Sequence, residues 1–250
     1  MQGDVYRIAF PRTDLHVSIG NVALRAGFAL GSWVAFRASG TEAIVNGDLV
    51  LTEREVDPVV SRLFAGGLEI TALHNHLVGE TPRVMYLHIW GKGEAPRLAE
   101  AIGSALAQTG TPRGPAPAPA AGEPGFDADA IQKRLGVTGA VRGGVLSVAV
   151  PRRERIVMMG EELPPSMGMA TSLNFQAADG TNVAATGDFV LSADQVNAVA
   201  RALVQHGIGV RALHNHMIHG APELYFMHFW AVGPAASIAD GLKAGLDAMR

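Results

Sequence analysis

Cysteine is absent from the 250-residue sequence, and this absence excludes several kinds of site at once. A chain without thiols has no disulfides, no thiolate nucleophile, no Cys-ligated zinc and no iron–sulfur cluster. An excess of either charge is also missing, since 20 Lys and Arg residues stand against 23 Asp and Glu residues, a formal net charge of -3. No basic run indicates a nucleic-acid footprint or a polybasic membrane anchor.

Long apolar runs are missing as well. No stretch reaches the roughly 18 residues that a transmembrane helix needs. The first four residues lead directly into a strand-like segment, Val5–Phe10, which leaves no room for a signal peptide. With 48% hydrophobic and 17% charged residues and a mean hydropathy of +0.19, the chain can still bury a large core. The composition therefore predicts a globular protein.

The sequence repeats itself at an offset of 140 residues. The string ALHNH occurs at residues 72–76 and again at 212–216. The same offset, applied without a gap from Val5 onwards, aligns Pro11-Arg12 with Pro151-Arg152, Ser32 with Ser172, and Gly47-Asp48 with Gly187-Asp188. We therefore expect two copies of one fold, residues 1–110 and 126–250, packed as a pseudo-two-fold dimer, because two-fold pairing is the commonest association of identical domains.

A linker rich in small residues joins the two copies. In residues 111–125, 12 of 15 are Pro, Ala or Gly, which predicts an exposed, mobile, semi-extended segment. The next residues, Phe126–Arg142, read as a short helix and a strand whose counterpart would precede Met1. We therefore expect the natural chain to begin earlier, with an export signal in that part and a periplasmic or extracellular location as one option.

Within each repeat the pattern predicts an α+β fold, an antiparallel sheet with helices on one side. Turn signals separate strands in a first hairpin, and Thr52 is a helix N-cap with Glu55 at the capping-box position. The predicted elements of repeat one are strands Val5–Phe10 and Leu15–Ile19, strands Ser32–Ala38 and Glu42–Leu51, helix Glu53–Ala65, the hairpin Leu68–His76 with Arg83–Trp90, and helix Ala95–Ala107.

Six of the nine histidines occur in two copies of one pattern: H-N-H, eleven residues, then H-x-W. Because side chains alternate along a strand, His74 and His76 share a face. A hairpin that turns about Glu80-Thr81 would place His74 opposite His88 and His76 opposite Tyr86. We therefore expect three imidazoles to converge in each repeat. The set in repeat two is His214, His216 and His228, with Phe226 in place of Tyr86.

Three neutral imidazoles on a rigid sheet are a ligand set for a divalent transition metal. Zinc is favoured by ligand type and availability, while nickel, copper(II), manganese and iron(II) stay open. Three protein ligands leave a fourth position for water, which a metal activates as a nucleophile. The alternative is a set of hydrogen-bonded sheet histidines without a metal.

The loop between the paired strands carries the candidate catalytic residues. Glu80 could serve as a fourth ligand or a general base. Repeat two has Gly220 at that position and His219 one residue earlier, so His219 is the second candidate. The alternative for Glu80 is a solvated loop residue.

Two further residue pairs lie near the histidines in the pattern. Asp48 and Asp188 follow glycines in a long strand, where a bulge or turn is the default interpretation and a hydrogen bond to a ligating histidine the second. Trp90 and Trp230 share the histidine face and either pack in the core or form the wall of a pocket.

Four polar residues have ordinary interpretations. Arg12 and Arg152 are expected in exposed turns, with anion binding as the less favoured option. His16 and His206 have no histidine partner in the other copy and are expected at the surface or at a helix cap.

The sequence resembles the LppY/LpqO family, a bacterial domain of unknown function named after lipoproteins. The resemblance rests on ALHNHLVGETPRVMYLHIWG and ALHNHMIHGAPELYFMHFWAVG, the upstream Pro-Arg turns, and GDLVL or GDFVL, and it covers both repeats. It implies a duplicated domain that often carries a signal peptide or lipobox. The family often has an acidic residue before the motif proline: Glu80 stands two residues before Pro82, whereas Ala221 directly precedes Pro222.

Three functions are consistent with these patterns. The first is a zinc-type hydrolase that acts on a small-molecule or ester substrate, phosphodiesters included. The second is a non-catalytic metal-binding or metal-buffering protein of the cell envelope. The third is a duplicated ligand-binding module without a metal. Homo-oligomer formation is left open.

Overall fold

Two antiparallel sheets, one from each repeat, form the centre of the fold. The computed structural model describes residues 3–112 and 122–250. Repeat one contains, in order, β1 (Val5–Pro11), β2 (Ser18–Ile19), β3 (Val22–Ala23), α1 (Ala26–Ala29), β4 (Gly31–Ser39), β5 (Glu42–Thr52), α2 (Glu53–Ala65), β6 (Glu69–His74), β7 (Glu80–Thr81), β8 (Val84–Gly93) and α3 (Ala95–Leu106). Repeat two contains α4 (Ala128–Leu135), β9 (Gly139–Arg142), β10 (Val145–Pro151), β11 (Val157–Met158), β12 (Glu161–Glu162), a 3-10 turn (Pro165–Met167), β13 (Ala170–Ala177), β14 (Asn182–Leu191), α5 (Ala193–Gln205), β15 (Gly209–His214), β16 (Gly220–Ala221), β17 (Tyr225–Pro234) and α6 (Ala235–Asp247).

The sheets confirm the predicted α+β class and the duplication. The strand order is β1-β4-β5-β8-β6 in repeat one and β15-β17-β14-β13-β10-β9 in repeat two. Two small sheets, β3-β2-β7 and β12-β11-β16, complete the topology. The predicted helix and strand of Phe126–Arg142 are present as α4 and β9. Helix α2 has the predicted bounds and capping box, because the Glu55 carboxylate accepts a hydrogen bond from Thr52 N.

Each sheet packs its helices on one face only. In β5, Val45 and Leu49 share a buried core with Leu63 of α2 and Leu98 of α3. The alternate residues of β5, among them Asp48, point away from these helices because successive side chains of a strand lie on opposite faces. The helix-free face of the sheet is therefore the one that carries the polar residues.

The helix-free faces of the two sheets share their cores. Val50 and Val84 of repeat one belong to the same buried cluster as Ala184 and Trp230 of repeat two. A second shared cluster includes Trp90, Val190 and Phe226. The two repeats therefore meet through the faces opposite their helices.

Two irregular segments cross from one repeat to the other. We call residues 12–30 arm one and residues 152–169 arm two. Phe28 of arm one lies in the shared core with its ring 6.1 Å from that of Trp230, edge to face. In arm one, Arg25 N donates a hydrogen bond to Gln176 Oε1 at 3.0 Å. In arm two, Met167 O accepts one from Asn46 Nδ2 at 2.8 Å. The arms therefore anchor each repeat on the other.

The first predicted hairpin is wrong. Strand β1 pairs with β4, from Val5 opposite Arg37 to Pro11 opposite Gly31. Of the predicted strand Leu15–Ile19 only β2 forms, and it pairs with β3 and β7 instead. The physical reason is that the chain after Pro11 leaves the sheet as arm one, where burial of Phe28 and Leu30 holds it.

The offset of 140 residues also fails to align one pair of equivalent strands, β4 and β13. Asp48 lies opposite Trp33, whereas Asp188 lies opposite Ser172, one residue earlier than the offset gives. Likewise, Ser32 Oγ accepts a hydrogen bond from Val50 N, and Thr171 Oγ1 accepts one from Val190 N. Ser32 is therefore equivalent to Thr171 and not to Ser172. Arm two is one residue shorter than arm one and the β13–β14 turn one residue longer, so the two changes cancel.

Part of the predicted linker lies outside the described residues. This part is 113–121, and no outcome follows for it. At the start of the predicted linker, Thr111 is buried and its N–H donates to Thr109 Oγ1 at 3.1 Å. The prediction of an exposed segment is therefore wrong at this residue. No helix within the described ranges is long and apolar enough to cross a membrane.

Candidate metal centre

The six motif histidines form one cluster that spans both repeats. The rings lie in close pairs, each with one member from each repeat. The distances between ring centroids are 3.6 Å for His74–His214, 3.7 Å for His76–His228 and 3.7 Å for His88–His216. Separate sites, one per repeat, were expected from the sequence. The structure brings all six together because the histidine-bearing faces of the two sheets are the faces that meet.

The predicted pairing of the histidine hairpin is wrong by two residues. His74 lies opposite Tyr86, and Ala72 lies opposite His88. Glu80-Thr81 is not the tip of a simple turn, because these residues pair with β2 as strand β7. His76 therefore lies beyond the end of β6. The register difference is an even number of residues, so His74 and His88 still project from the same face, as predicted.

The repeat-two hairpin shows the same register. His214 lies opposite Phe226 and Ala212 lies opposite His228, with an irregularity after Val210 that matches the one after Ile70. The aromatic partners stack on the second histidine of each tripeptide, at 3.3 Å between centroids for Tyr86 and His76. The Tyr86 hydroxyl donates to Ala29 O at 2.7 Å, so arm one fixes this ring.

All six imidazoles have a buried Nε2 atom without a hydrogen-bond partner among the described residues. His228 Nδ1 lies 3.1 Å from Gly187 O, which favours the tautomer with its proton on Nδ1 and leaves Nε2 with a free lone pair. Buried polar atoms are nearly always paired, so six unpaired nitrogens in one place call for an explanation. A bound cation could satisfy those that lie close together.

Two sets of ring nitrogens are close enough to share a metal ion. The atoms of His74, His76 and His88 lie within 4.8 Å of one another, and so do those of His74, His214 and His216. His74 belongs to both sets. The second set differs from the predicted one, because His228 is not part of it.

The histidines are held neutral by their surroundings. Burial and the neighbouring His214 ring lower the pKa of His74 to about 3, and burial lowers the pKa of His214 to about 4. Burial, followed by the neighbouring imidazoles, keeps the pKa values of the other four well below 6.5. Neutral imidazole is the form that binds metals.

Two carboxyl groups lie next to the cluster, and of these Asp48 is buried and Asp188 is half-buried. Asp48 is opposite His88 in the β5–β8 pairing, and Asp188 is opposite His228. Burial and the Asp188 charge raise the pKa of Asp48 to about 8, and burial raises the pKa of Asp188 to about 6. The pairing is regular at both positions, so the predicted bulge there is wrong. The irregularities lie in β6 and β15.

The two carboxylates differ in their hydrogen bonds. Asp188 accepts a bond of 2.7 Å from Ser172 Oγ. Among the residues that the structure describes, Asp48 Oδ1 is buried without a partner and lies 3.9 Å from His88 Nε2, which has no partner there either. The difference follows from the one-residue shift, because Trp33 occupies in repeat one the place of Ser172.

Gly187 allows the strands beside Asp188 to approach closely. A Cβ atom at this position would lie 1.9 Å from Ser172 O, a separation that real atoms do not reach. The glycine of the Gly-Asp pair therefore serves strand packing, and the aspartate that follows it faces the cluster.

A cavity of about 350 Å³ adjoins the cluster. Four of the histidines line it together with both aspartates, and His74 and His214 do not. The lining set is His76, His88, His216, His228, Asp48 and Asp188. Arg7 and Trp33 also line the cavity. The sequence patterns missed these two, although the alternation of β1 places Arg7 on the same face as the buried Val5 and could have indicated it.

The candidate catalytic residues lie outside the cluster. Glu80 is buried, its Oε1 has no partner in the described chain, and its charge contributes to raising the pKa of Tyr86 after burial and Asp48. Glu80 is therefore not the solvated loop residue of the alternative interpretation. His219 is exposed in a left-handed backbone conformation, with φ of 53°. Neither residue belongs to the sets of close ligand atoms, and their catalytic roles stay predictions.

The tryptophans of the H-x-W motifs pack in the core. Trp90 and Trp230 are 4% and 8% exposed, in the two cores shared between the repeats. They do not line the cavity. His16 is exposed and His206 is the C-cap of α5, as predicted.

The predicted exposed turn at Arg12 is wrong. Its guanidinium is fully buried and forms two hydrogen bonds to Glu55, at 2.9 and 3.0 Å, and two to Asp14. Arg152 donates to Gln195 Oε1 at 2.9 Å and to Glu154. These arginines fasten the start of each arm to a helix.

Three solved structures align with most of the chain at low structural similarity. A trimeric bacterial microcompartment shell protein, PduB, is 13% identical over 99% of this chain and 87% of its own, with a TM-score of 0.24. EtuB from Clostridium kluyveri is 8% identical over 92% and 91%, with a TM-score of 0.25. TP0453 is 12% identical over 97% and 93%, with a TM-score of 0.21. Scores this low do not indicate a shared fold.

Sequence comparison identifies the family. No curated protein matches the chain. The family described as Domain of Unknown Function (DUF1259) matches twice, over residues 1–108 and 129–248, and the two matches coincide with the two repeats. The chain therefore belongs to this family of unknown function and carries its domain in duplicate.

Proposed function

We propose that the protein binds a divalent transition metal, with zinc favoured, at a centre to which both repeats contribute. The observation that carries the proposal is the set of six buried Nε2 atoms without partners in one cluster. Neutral imidazole nitrogen is a ligand that zinc and its neighbours in the transition series prefer. The donor set has the chemistry that such an ion requires, since its ring nitrogens lie within 4.8 Å of one another in two groups of three.

The sharing of His74 supports one composite centre over two separate sites. His74 belongs to both sets of close ligand atoms, and its ring centroid lies 3.6 Å from that of His214 of the other repeat. We infer that the repeats pack as a pseudo-two-fold dimer, because the stacks His76–His228 and His88–His216 exchange under the repeat offset. The histidine motifs and the duplication also support membership of the LppY/LpqO group.

The cavity supports a hydrolytic reaction at this centre. His76 and His88 line it, and together with His74 they would hold a metal ion beside it. A metal ion in such a position makes bound water a nucleophile near neutral pH. In ester hydrolysis the water oxygen bonds to the acyl carbon, the bond to the leaving oxygen breaks, and the water proton passes to that oxygen. Asp48 lines the cavity, and with its pKa raised to about 8 it would give its proton to the leaving oxygen and take back the proton of the water.

The number of ligands favours a second candidate, non-catalytic metal storage. Catalytic zinc sites commonly have three protein ligands, and closed sites have four. The cluster offers six imidazoles, enough to complete the coordination of an ion without water. Both functions require the same bound metal, and only hydrolysis would convert a substrate to products.

The metal content of single-site variants tests the proposal. The protein is purified without nickel resin or chelator and analysed by inductively coupled plasma mass spectrometry. We expect one or two equivalents of metal per chain. His74→Ala removes a member of both ligand sets and is expected to weaken binding at least 10-fold. His88→Ala leaves the set of His74, His214 and His216 and is expected to retain metal. Exposed His16→Ala is the control.

Two outcomes would contradict the proposal. Protein that stays metal-free after reconstitution excludes both metal functions. If His74→Ala lost the metal of one repeat while an independent site in the other kept its own, the composite centre would be wrong. Assays of metal-loaded protein with chromogenic carboxylic esters and phosphodiesters then separate hydrolysis from storage.

A further inference from the structure

The cavity beside the histidines has the dimensions of a ligand pocket. Its volume of about 350 Å³ falls within the usual range for small-molecule sites, roughly 300–1,000 Å³. Its lining combines polar groups with the aromatic rings of Phe28, Trp33 and Tyr86. A cavity of this composition suits a small organic molecule with at least one polar group.

Arg7 lies where this cavity meets solvent. The residue is exposed, yet it lines the cavity, and its guanidinium carbon is 3.8 Å from the centroid of the Trp33 ring. Nη1 donates to Ser166 O of arm two at 2.8 Å, so the side chain is held at both its face and its edge. The guanidinium is therefore oriented before any ligand arrives.

Arg7 forms no ion pair within the described part of the chain, although the charge of Asp48, which lines the same cavity, favours its charged form. Within the described ranges, no carboxylate oxygen lies within 4.0 Å of its guanidinium, whereas Arg12, Arg37 and Arg152 all have one. Partial desolvation lowers the pKa of Arg7 to about 10, so the group still carries its charge at neutral pH. An oriented, unpaired guanidinium matches the geometry of an oxyanion.

The opposite repeat offers no such group. Ser147 occupies in β10 the place of Arg7 in β1, and Ser172 occupies the place of Trp33. Gly168 of arm two lies against the Trp33 ring, where a Cβ atom would come within 2.8 Å. The guanidinium and the indole therefore belong to repeat one alone, and the two sides of the cavity differ in chemistry.

We propose that the cavity binds a small aromatic or aliphatic organic anion, with its oxyanion on Arg7 and its body between Trp33 and the histidine cluster. Binding of the anion is independent of the metal. The further statement, that such anions are the substrate class, rests on the proposed hydrolytic function. If the protein is such a hydrolase, the anionic group of the substrate lies on Arg7, and the bond that is hydrolysed lies at the other end of the substrate.

Small aromatic probes test the proposal on metal-free protein, and benzoate and benzamide form the pair of equal shape. Isothermal titration with benzoate, phenyl phosphate and neutral benzamide measures the contribution of the charge. We expect either anion to bind at least 10-fold more tightly than benzamide, because a hydrogen bond to a charged group contributes about that factor or more. The ratio of benzoate to phenyl phosphate distinguishes carboxylate from phosphate ligands.

Variants assign the effect to Arg7. Arg7→Gln is expected to remove the preference for anions, while Arg153→Gln, an exposed arginine outside the cavity, keeps it. Quenching of tryptophan fluorescence by the bound anion should disappear in Trp33→Leu. Equal affinity for benzoate and benzamide, an absence of binding, or an unchanged preference in Arg7→Gln would overturn the proposal. Since the titrations use no metal, failure of the metal centre leaves their result intact.

Discussion

At the scale of single residues, Arg12 shows how one buried charge is held differently in the two repeats. Its guanidinium pairs with Glu55, which also caps helix α2 and accepts a hydrogen bond of 2.9 Å from Gly110 N. Burial raises the pKa of Glu55, but the hydrogen bonds from Arg12, Gly110 and Thr52 outweigh it and keep the pKa below 4.5. In repeat two, neutral Gln195 has this place.

Replacement of Glu55 by Gln, the residue of repeat two, should destabilise the protein. We expect a loss of about 1–3 kcal/mol at pH 7, because Arg12 loses a charged partner while the amide still accepts a hydrogen bond. The folded-state pKa of Glu55 is lowered, so its contribution is present above pH 4.5 and is lost as the pH falls through that folded-state value. Urea unfolding at pH 7 and at pH 3 measures both effects.

Glu100→Gln, on the exposed surface of α3, is the matched control and should stay within about 0.5 kcal/mol at both pH values. An equal effect of Glu55→Gln at pH 3 and pH 7 would show that the carboxylate charge contributes nothing. The Pro-Arg turn could not reveal this pair from the sequence, because the partner of Arg12 lies 43 residues further on.

At the scale of elements, the arms determine how the repeats hold each other. Arm one has little regular structure, so its position depends on side chains such as Phe28, which is 2% exposed. Helix α2 and the main strands were predicted well, because their periodic patterns and caps are local. The arms were not, because a segment that folds onto another domain carries no local signal.

Phe28→Ala should destabilise the whole molecule and not arm one alone. Truncating a buried phenylalanine costs about 3–5 kcal/mol, and this ring packs on Trp230 of the other repeat. Phe64→Ala, on a ring that is 58% exposed in α2, should change stability by less than about 1 kcal/mol. Denaturant unfolding followed by tryptophan fluorescence measures both variants. A neutral result for Phe28→Ala would mean that arm one does not hold the repeats together.

The register of the histidine hairpin marks a second limit of prediction. The H-N-H spacing indicated correctly that the rings share a face, since parity survives an even shift. The facing residues were wrong, because residues 80–81 pair with arm one and lengthen the connection between β6 and β8. Similarly, two compensating one-residue changes in repeat two were invisible to an ungapped offset.

At the scale of the whole molecule, the duplication was evident from the sequence and the shared centre was not. Alternation along a strand tells which residues share a face, but not which face of one sheet packs on another. The six histidines therefore read as two groups of three, whereas the structure places them in one cluster. Arg7 and Trp33 were missed for the same reason, since their role depends on arm two.

The shared cores predict that the two repeats stay together after the connection is cut. A protease recognition sequence can be inserted within residues 113–121, and the purified protein then cleaved. We expect the two fragments to elute as one species of the intact mass in size-exclusion chromatography. Separation of the fragments without denaturant would contradict reciprocal anchoring by the arms. Uncleaved protein with the same insertion is the control.

The unequal walls of the cavity have a consequence for the history of the chain. Two identical chains that paired about a two-fold axis would present Arg7 and Trp33 on both sides of the cavity or on neither. Joining the two copies in one polypeptide removes that constraint, since each copy can then change its own side. Tandem fusion thus gives a symmetric ancestor a way to keep its six matching imidazoles while acquiring a cavity whose two ends differ.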